Sequence, residues 1–376
     1  MDNKKDDKTS KKTYSRTMKI LVISNLYGAE AKGGAEKFAT FEVAQLRAAG
    51  HEVQVLYAQR GETNTSNGEI GYQTHNIFFY GDIASKSFTA RALFHVIDLF
   101  SVRSAWFVYR LITQQKYDKV ITHNLKGLGM LIPRAIAVTK IPHEHVVHDV
   151  QLVYGSGLLW FGEEKKIQDL VPKLFRAMMR FVWGSPTHIR FLSHYAAQLH
   201  NTYGFFPDSK KEVVVPKQTY APRPIHPKGK VNFLFVGQIE KHKGIELLCA
   251  VMKKFPNHTL TIVGEGSLFA TLSHEAASNI AWMGKKTSEE VGEIMQQHDV
   301  LVVPSIVHEN APRVIAEAHA VGMVVCASQV GGVPELLLSD DVMFTPTNEG
   351  LERALREMIV RCVDSRLCMH DLRPRG

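Results

Sequence analysis

Two carboxylates eight positions apart, Glu309 and Glu317, lie in the segment His308-Glu309-Asn310-Ala311-Pro312-Arg313-Val314-Ile315-Ala316-Glu317-Ala318. The segment follows an apolar run, Asp299 to Val303, and then Pro304-Ser305, so the spacing predicts a strand, a loop and the start of a helix in that order. Pro312 suits the first turn of such a helix, where its missing N–H would have no partner anyway. The loop before it then aims backbone donors and the positive end of a helix dipole beyond the strand's carboxyl end, a place fit for a phosphate. Glu317 sits among Val314, Ile315, Ala316, Ala318 and Ala320, where a carboxylate is costly unless it meets hydroxyls or a cation. Sugar hydroxyls would serve. For an isolated pair of glutamates the plain alternative is a loop cap and a solvated helix charge.

Other residues offer chemistry at similar places. Gly237, Gln238, Lys243 and Gly244 follow the apolar run Asn232 to Val236, and Gly264-Glu265-Gly266 follows Thr259 to Val263. Lys32-Gly33-Gly34-Ala35-Glu36 opens a helical stretch after Lys19 to Ser24, and paired glycines before a helix let a backbone approach a ligand closely. His143, Glu144, His145 and His148 invite a metal reading. On a strand, however, His143 and His145 share one face while His148 points to the other, and Val147 stands where the second histidine of H-E-x-x-H would be. No metal is expected. Cys249, Cys326, Cys362 and Cys368 are too few and scattered for a disulfide framework, and Cys362, Cys368 and His370 match no common zinc spacing.

The elements that must carry these residues alternate strand and helix. Lys19 to Ser24, a helix from Gly33-Gly34 and Glu52 to Tyr57 make one βαβ opening; a second begins near Val231. Further strands are expected at Lys119 to Thr122, Asp299 to Val303, Met323 to Ala327 and Val342 to Phe344, with helices from Ser288, Pro312 and Asn348. Pro216, Pro222, Pro224 and Pro227 crowd a stretch that cannot lie inside a sheet or helix. The expected organisation is a solvated, disordered tail at 1–17, a Rossmann-like domain at 18–216, a linker at 217–230 and a second Rossmann-like domain at 231–376. A length of 376 residues fits two such α/β cores.

The segment from Asp299 to Leu337 resembles the retaining glycosyltransferases of the GT-B fold, family 4. Glu309 and Glu317 match the family's Glu-x7-Glu signature in its E-N-x-P variant, and Val303-Pro304-Ser305, Glu317 to Gly322 and Gly331-Gly332-Val333-Pro334-Glu335 match its flanks. Val236 to Gly244 is similar to the family's V-G-R-x-x-x-x-K-G diphosphate loop, with Lys243 on its lysine but Gln238 in place of its arginine. Lys32 to Glu36 is similar to its G-G-x-E loop, and His148-Asp149 to a strand end whose histidine lies beside the transferred sugar. The likeness runs from Met18 to Arg361 and is sparse over 58–115 and 150–212.

The resemblance implies an α/β GT-B architecture, two doubly wound domains facing a central cleft. It implies a retaining, metal-independent hexosyltransferase that needs no cofactor and takes a UDP- or GDP-linked sugar as co-substrate. On that reading His148, Lys243 and Glu309 are catalytic, and Gly33, Gly34, Gly237, Gln238, Lys243, Gly264, Asn310, Ala311, Arg313 and Glu317 bind the donor. The expected acceptor is a glycan or lipid-linked hydroxyl in envelope polysaccharide, lipopolysaccharide or glycolipid synthesis. A neutral amide at Gln238 lacks the charge of the usual arginine, for which Arg313 or Lys241 could compensate. Little sequence follows the helix from Asn348, and with Gln238 this motivates the alternative of a catalytically weak glycan-binding or scaffold module.

The composition, 45% hydrophobic and 22% charged, is that of a globular protein, with no apolar run expected to span a bilayer and no secretory signal at the start. The expected location is cytoplasmic, or peripheral on the inner face of the membrane. The net charge of +8 favours acidic partners. No basic recognition helix or stacking motif supports nucleic acid. Phe88, Leu93, Phe94, Ile97, Phe100, Trp106 and Phe107 interleave with Lys86, Arg91, Arg103 and Arg110, and Val171 to Trp183 repeats the mixture with Lys173, Arg176 and Arg180. Such helices suit an anionic membrane surface; the alternative is that they pack the core.

Overall fold

The computed structural model describes residues 16–28, 31, 33–216 and 229–363. Residues 1–15 of the expected tail, residues 217–228 of the expected linker, Lys32, and Cys368 with His370 lie outside these described residues. Two compact units emerge. One holds the described residues up to Val146 together with Pro186–His188; the other holds Val147–Ser185 and the described residues from Ile189 onward.

The chain begins with β1 (Lys19–Ile23), α1 (Gly34–Ala48), β2 (Glu52–Gln59), the short β3 (Asn64–Ser66) and β4 (Glu69–Gln73). There follow α2 (Phe88–Leu99), α3 (Val102–Gln115), β5 (Lys119–Thr122), α4 (Ile132–Thr139), β6 (His143–Val147), α5 (Leu170–Trp183), β7 (His188–Phe191), α6 (His194–Thr202) and β8 (Lys210–Val213). The first sheet runs β3-β4-β2-β1-β5-β6-β7-β8. Its central pairs β1·β2, β1·β5 and β5·β6 are parallel. Ile20 to Ile23 are all buried, the near-continuous apolar run that a central parallel strand covered on both faces requires. Sequence order reverses at β1, between β2 and β5, which is where doubly wound sheets open a crevice beyond their carboxyl ends.

The second sheet is built from β9 (Asn232–Val236), α7 (Ile245–Met252), β10 (Thr259–Val263), α8 (Phe269–His274), β11 (Ile280–Gly284), α9 (Ser288–Gln296), β12 (Val300–Val303), α10 (Arg313–Ala320), β13 (Val324–Ser328), β14 (Val342–Phe344) and α11 (Asn348–Val363). Its order is β11-β10-β9-β12-β13-β14, with parallel pairing throughout. Side chains alternate across it. Phe233 and Phe235 join one core with α7 and α11 residues such as Leu248 and Leu355, while Leu234 joins the other with Ile315 and Ala318 of α10. Two apolar faces with helices on each make a Rossmann-like sheet.

The expected strands β5, β9, β10 and β14 and the starts of α9 and α11 fall where the sequence places them. Pro312 differs slightly: it is the N-cap of α10 rather than its first helical residue, with extended ψ, and its carbonyl accepts from Ile315. By length and composition only, the stretch Phe88–Gln115 would suffice to cross a membrane, against the expectation that no run does. It is two helices, α2 and α3, interrupted at Phe100-Ser101.

Candidate functional site

The carboxyl ends of β9 and β12 meet through backbone. After β9 the chain makes a tight turn, Lys241–Lys243, ending at Gly244 with φ of +71°. A Cβ on Gly244 would overlap the carbonyl of Pro304 in the loop after β12, so only glycine allows this approach. Gly264, with φ of +147°, plays the same part at the end of β10, where a Cβ would overlap the Gly237 carbonyl. These contacts place Lys243 beside the loop that carries Glu309.

Lys243 Nζ lies 2.9 Å from Glu309 Oε1, and the Ser305 hydroxyl donates to the same oxygen. Only 13% of the Glu309 side chain and 26% of the Lys243 side chain reach solvent. Burial alone pushes the Glu309 carboxyl up. The Lys243 charge, the Ser305 hydroxyl and the Lys243 hydrogen bond outweigh it and hold the group below its ordinary value. Burial and Lys243 together lower His242, against a smaller upward pull from Glu309 and Glu240. A recess at this point is lined by Gly237, Lys243, Ser305, Glu309 and Pro312. An ionised carboxylate and an ammonium facing one recess can hold hydroxyls and an anion side by side.

The rest of the loop is pinned. Gly332 N–H donates to the Glu309 carbonyl at 2.8 Å, and Gly331 N–H donates to His308 Nδ1 at 2.9 Å. That leaves His308 Nε2 carrying the proton toward Glu164 Oε1, 2.8 Å away, with the ring stacked on Tyr195. Phe161 N–H donates to Ile306 O and His308 N–H to Leu159 O, so residues 159–161 form one antiparallel rung against the loop.

Family models match both parts of the chain: Glycosyltransferase Family 4 over residues 32–216 and Glycosyl transferases group 1 over residues 216–360. This chain belongs to family 4 of the GT-B glycosyltransferases. Among curated proteins it is 24% identical over 330 residues to an uncharacterized 42.6 kDa protein in the cps region of Klebsiella pneumoniae, covering 85% of this chain and 87% of that one. Among solved structures, sucrose-phosphate synthase from Thermosynechococcus elongatus matches with a TM-score of 0.68 at 17% identity, over 93% of this chain and 92% of that one. Anabaena HepE in complex with UDP-glucose matches with a TM-score of 0.62 at 16% identity, over 93% and 91%. These structural likenesses show the fold.

Within the glycosyltransferase, Gly237, Lys243 and Glu309 line the recess, Gly264 packs against the Gly237 carbonyl, and Ala311 is half-buried in the loop that carries Glu309. Gln238 is exposed. Arg313 and Glu317, expected to contact the donor separately, face each other one turn apart on α10 at 3.4 Å, and Arg313 Nη1 is buried without a hydrogen-bond partner. Asn310, expected among the donor-binding residues, has its side chain engaged by Val147 and Ser193 within the protein. His148 directly follows β6 and is half-buried. Gly33 is the N-cap of α1, its N–H donating to Glu36 at 2.8 Å, and Gly34 is exposed; both belong to the first unit. There too, His143 and His145 share a face, both meeting the Thr122 hydroxyl, at 2.8 and 3.0 Å.

Sequence reasoning named Ser305, His308 and Glu335 only as motif positions, without their contacts, and missed Glu164 altogether. Ser305 had a signal in its position directly after the strand. Glu164 had none, since its partner lies 144 residues away.

Proposed function

We propose that this glycosyltransferase moves a hexosyl group from a UDP- or GDP-linked sugar to a hydroxyl of a glycan or lipid-linked acceptor, keeping the anomeric configuration. The observation that carries the reading is the Lys243–Glu309–Ser305 cluster at the carboxyl ends of β9 and β12. Lys243 meets the negative charge that grows on the departing diphosphate, aided by loop N–H groups at the start of α10. Glu309, ionised, accepts from hydroxyls of the donor sugar. His148 positions the sugar, and Glu317 with Arg313 lies where ribose and phosphate groups would pass. The bond from the anomeric carbon to the phosphate oxygen breaks, the bond to the acceptor oxygen forms on the same face, and the departing phosphate takes the acceptor proton. The protein's own cation does this work, so the reading needs no metal and no cofactor.

The relative in a cps region supports an envelope polysaccharide as product; the proposed place of synthesis is the inner face of the cytoplasmic membrane. Exposed apolar residues support a membrane-borne acceptor. Phe88, Leu93, Val96, Phe100, Val102 and Trp106 project to solvent from α2 and α3 among exposed Lys86, Arg91, Arg103 and Arg110. Leu170, Val171, Leu174 and Phe181 do so on α5 beside Lys173 and Arg180. Other expected members face inward, Phe94 and Arg176 among them. Phe94 is fully buried against Phe78, and Arg176 is buried with its guanidinium over Tyr203 and a hydrogen bond to Ile167 O.

A melting screen of UDP-, GDP- and ADP-sugars, followed by transfer in the presence of EDTA and NMR of the product's anomeric proton, tests the proposal. One nucleotide sugar should raise the melting temperature and yield a retained linkage. An inverted product refutes the mechanism, and the absence of any shift or transfer leaves the scaffold alternative standing.

A further inference from the structure

The loop after β12 makes one buried connection that the donor chemistry does not need. Asn310, next to Glu309, is only 5% exposed. Its Nδ2 donates to the Val147 carbonyl at 2.8 Å and its Oδ1 accepts from the Ser193 hydroxyl. A flipped amide would set Oδ1 against the Val147 carbonyl, acceptor on acceptor, so the orientation is fixed. Ser193 is the N-cap of α6, its hydroxyl accepting from Ala196 N–H at 3.1 Å. Val147 ends β6, and the next residue is His148.

One amide therefore ties the backbone just before His148 to the backbone just after Glu309. A second tether runs parallel. Glu335 accepts from His194 N–H and Tyr195 N–H, at 2.6 and 2.7 Å, capping the first turn of α6. In the same loop, Gly332 holds the Glu309 carbonyl and packs against Ser193 so closely that a Cβ would overlap the Asn310 carbonyl. Carboxylate and amide dipoles are used here on protein backbone.

We infer that Asn310 is a positioning residue which, with Ser193 and Glu335, sets the turn carrying His148 against the loop carrying Glu309. Its effect on turnover rests on the transferase reading above; the latch itself does not. A reacting group displaced by about 1 Å loses on the order of a hundredfold in rate, so one amide can govern turnover without touching substrate. Donor affinity depends on Lys243 and α10, which this latch leaves in place.

The test compares N310A, N310D and S193A with the wild-type chain, using three readouts. These are affinity for the nucleoside diphosphate that raises the wild-type melting temperature, transfer turnover, and amide hydrogen exchange without ligand at 147–151 and 306–312. N310A should keep diphosphate affinity within about twofold, lose at least about thirtyfold in turnover, and exchange faster at both segments. N310D should lose more, because a carboxylate faces the Val147 carbonyl. S193A should move each readout the same way but less, and it carries the comparison if the Asn310 variants do not fold. H148A/N310A should be no slower than H148A within about threefold, since there is then nothing left to position. Weakened diphosphate affinity with unchanged turnover would make Asn310 a donor ligand. Losses that multiply in the double variant, or unchanged exchange at 147–151, would overturn the latch. Should the wild type transfer no sugar, the functional reading falls while the exchange data still judge the latch.

Discussion

Replacing Lys243 with Met keeps the stem and removes the charge, and the geometry around Glu309 sets the size of the effect. At 2.9 Å the gross attraction between Lys243 and Glu309 is about 6 kcal/mol at an effective dielectric of about 20. Partial exposure and the cost of desolvating both groups leave a fraction of that as net stabilisation. In turnover the loss is of one preorganised electrostatic contact to the departing diphosphate, about 3 kcal/mol, or a little over two decades in kcat. A second effect is independent of substrate. Glu309 is held below its ordinary value in the folded protein, so its contribution to stability is present above the unfolded value and lost as pH falls through the folded one. Without Lys243, burial is opposed mainly by the Ser305 hydroxyl, the carboxyl rises, and the acid limb of both activity and melting temperature moves to higher pH. Lys243→Arg should keep most of the stability. The double variant Lys243→Met with Glu309→Gln should melt higher than Lys243→Met alone, because no buried charge is stranded. Steady-state kinetics with the identified donor and melting curves from about pH 4 to 8 read all of this. Turnover of Lys243→Met within fivefold of wild type, with an unmoved acid limb, would refute the reasoning.

Gly264→Ala should lower the melting temperature by roughly 5–10 °C, because its Cβ has no room beside the Gly237 carbonyl; an unchanged melt would mean the loop yields easily. Glu317→Ala should raise the donor KM with little change in kcat, and it frees Arg313 from its intrahelical partner. Gln238→Arg should tighten diphosphate binding more in an Arg313→Ala background than in the wild type, measured by calorimetry; equal gains in both would show that Arg313 does not stand in for the missing cation. Co-sedimentation with anionic vesicles should fall with salt and on Phe88→Ser with Trp106→Ser, whereas protein left in the supernatant at low salt would point to a soluble acceptor.

The elements around Glu309 were legible because their cause is local: an apolar strand, a loop and a proline at the helix start each announce themselves within a few residues. Glycines 244 and 264 were legible as motif positions, although the reason for them, backbone packed on backbone, appears only in three dimensions. Asn310 was placed among the donor ligands by the resemblance, as the second residue of the E-N-x-P variant. Its partners, 163 and 117 residues away, leave no trace nearby. Composition also misled at Arg176 and Phe94. A cation among apolar residues reads the same whether it meets a headgroup or, as Arg176 does, a carbonyl and an aromatic ring inside the fold. Helical periodicity identifies the stripe on α5, but only packing decides which stripe faces outward.

The rung that joins residues 159–161 to the loop at 306–308 bears on how the enzyme is made. During synthesis the turn with His148 leaves the ribosome when most of the second sheet has not been translated, at a rate of about 5–20 residues per second. Contacts between partners so distant in sequence form late, after the local strands and helices, because the long loop must close before they reward it. The turn with His148 and the loop with Glu309, which the proposed function puts at the donor sugar, are thus joined only after β12 and the loop behind it have folded. A nascent or truncated chain could hold most strands of the first sheet and still lack this rung.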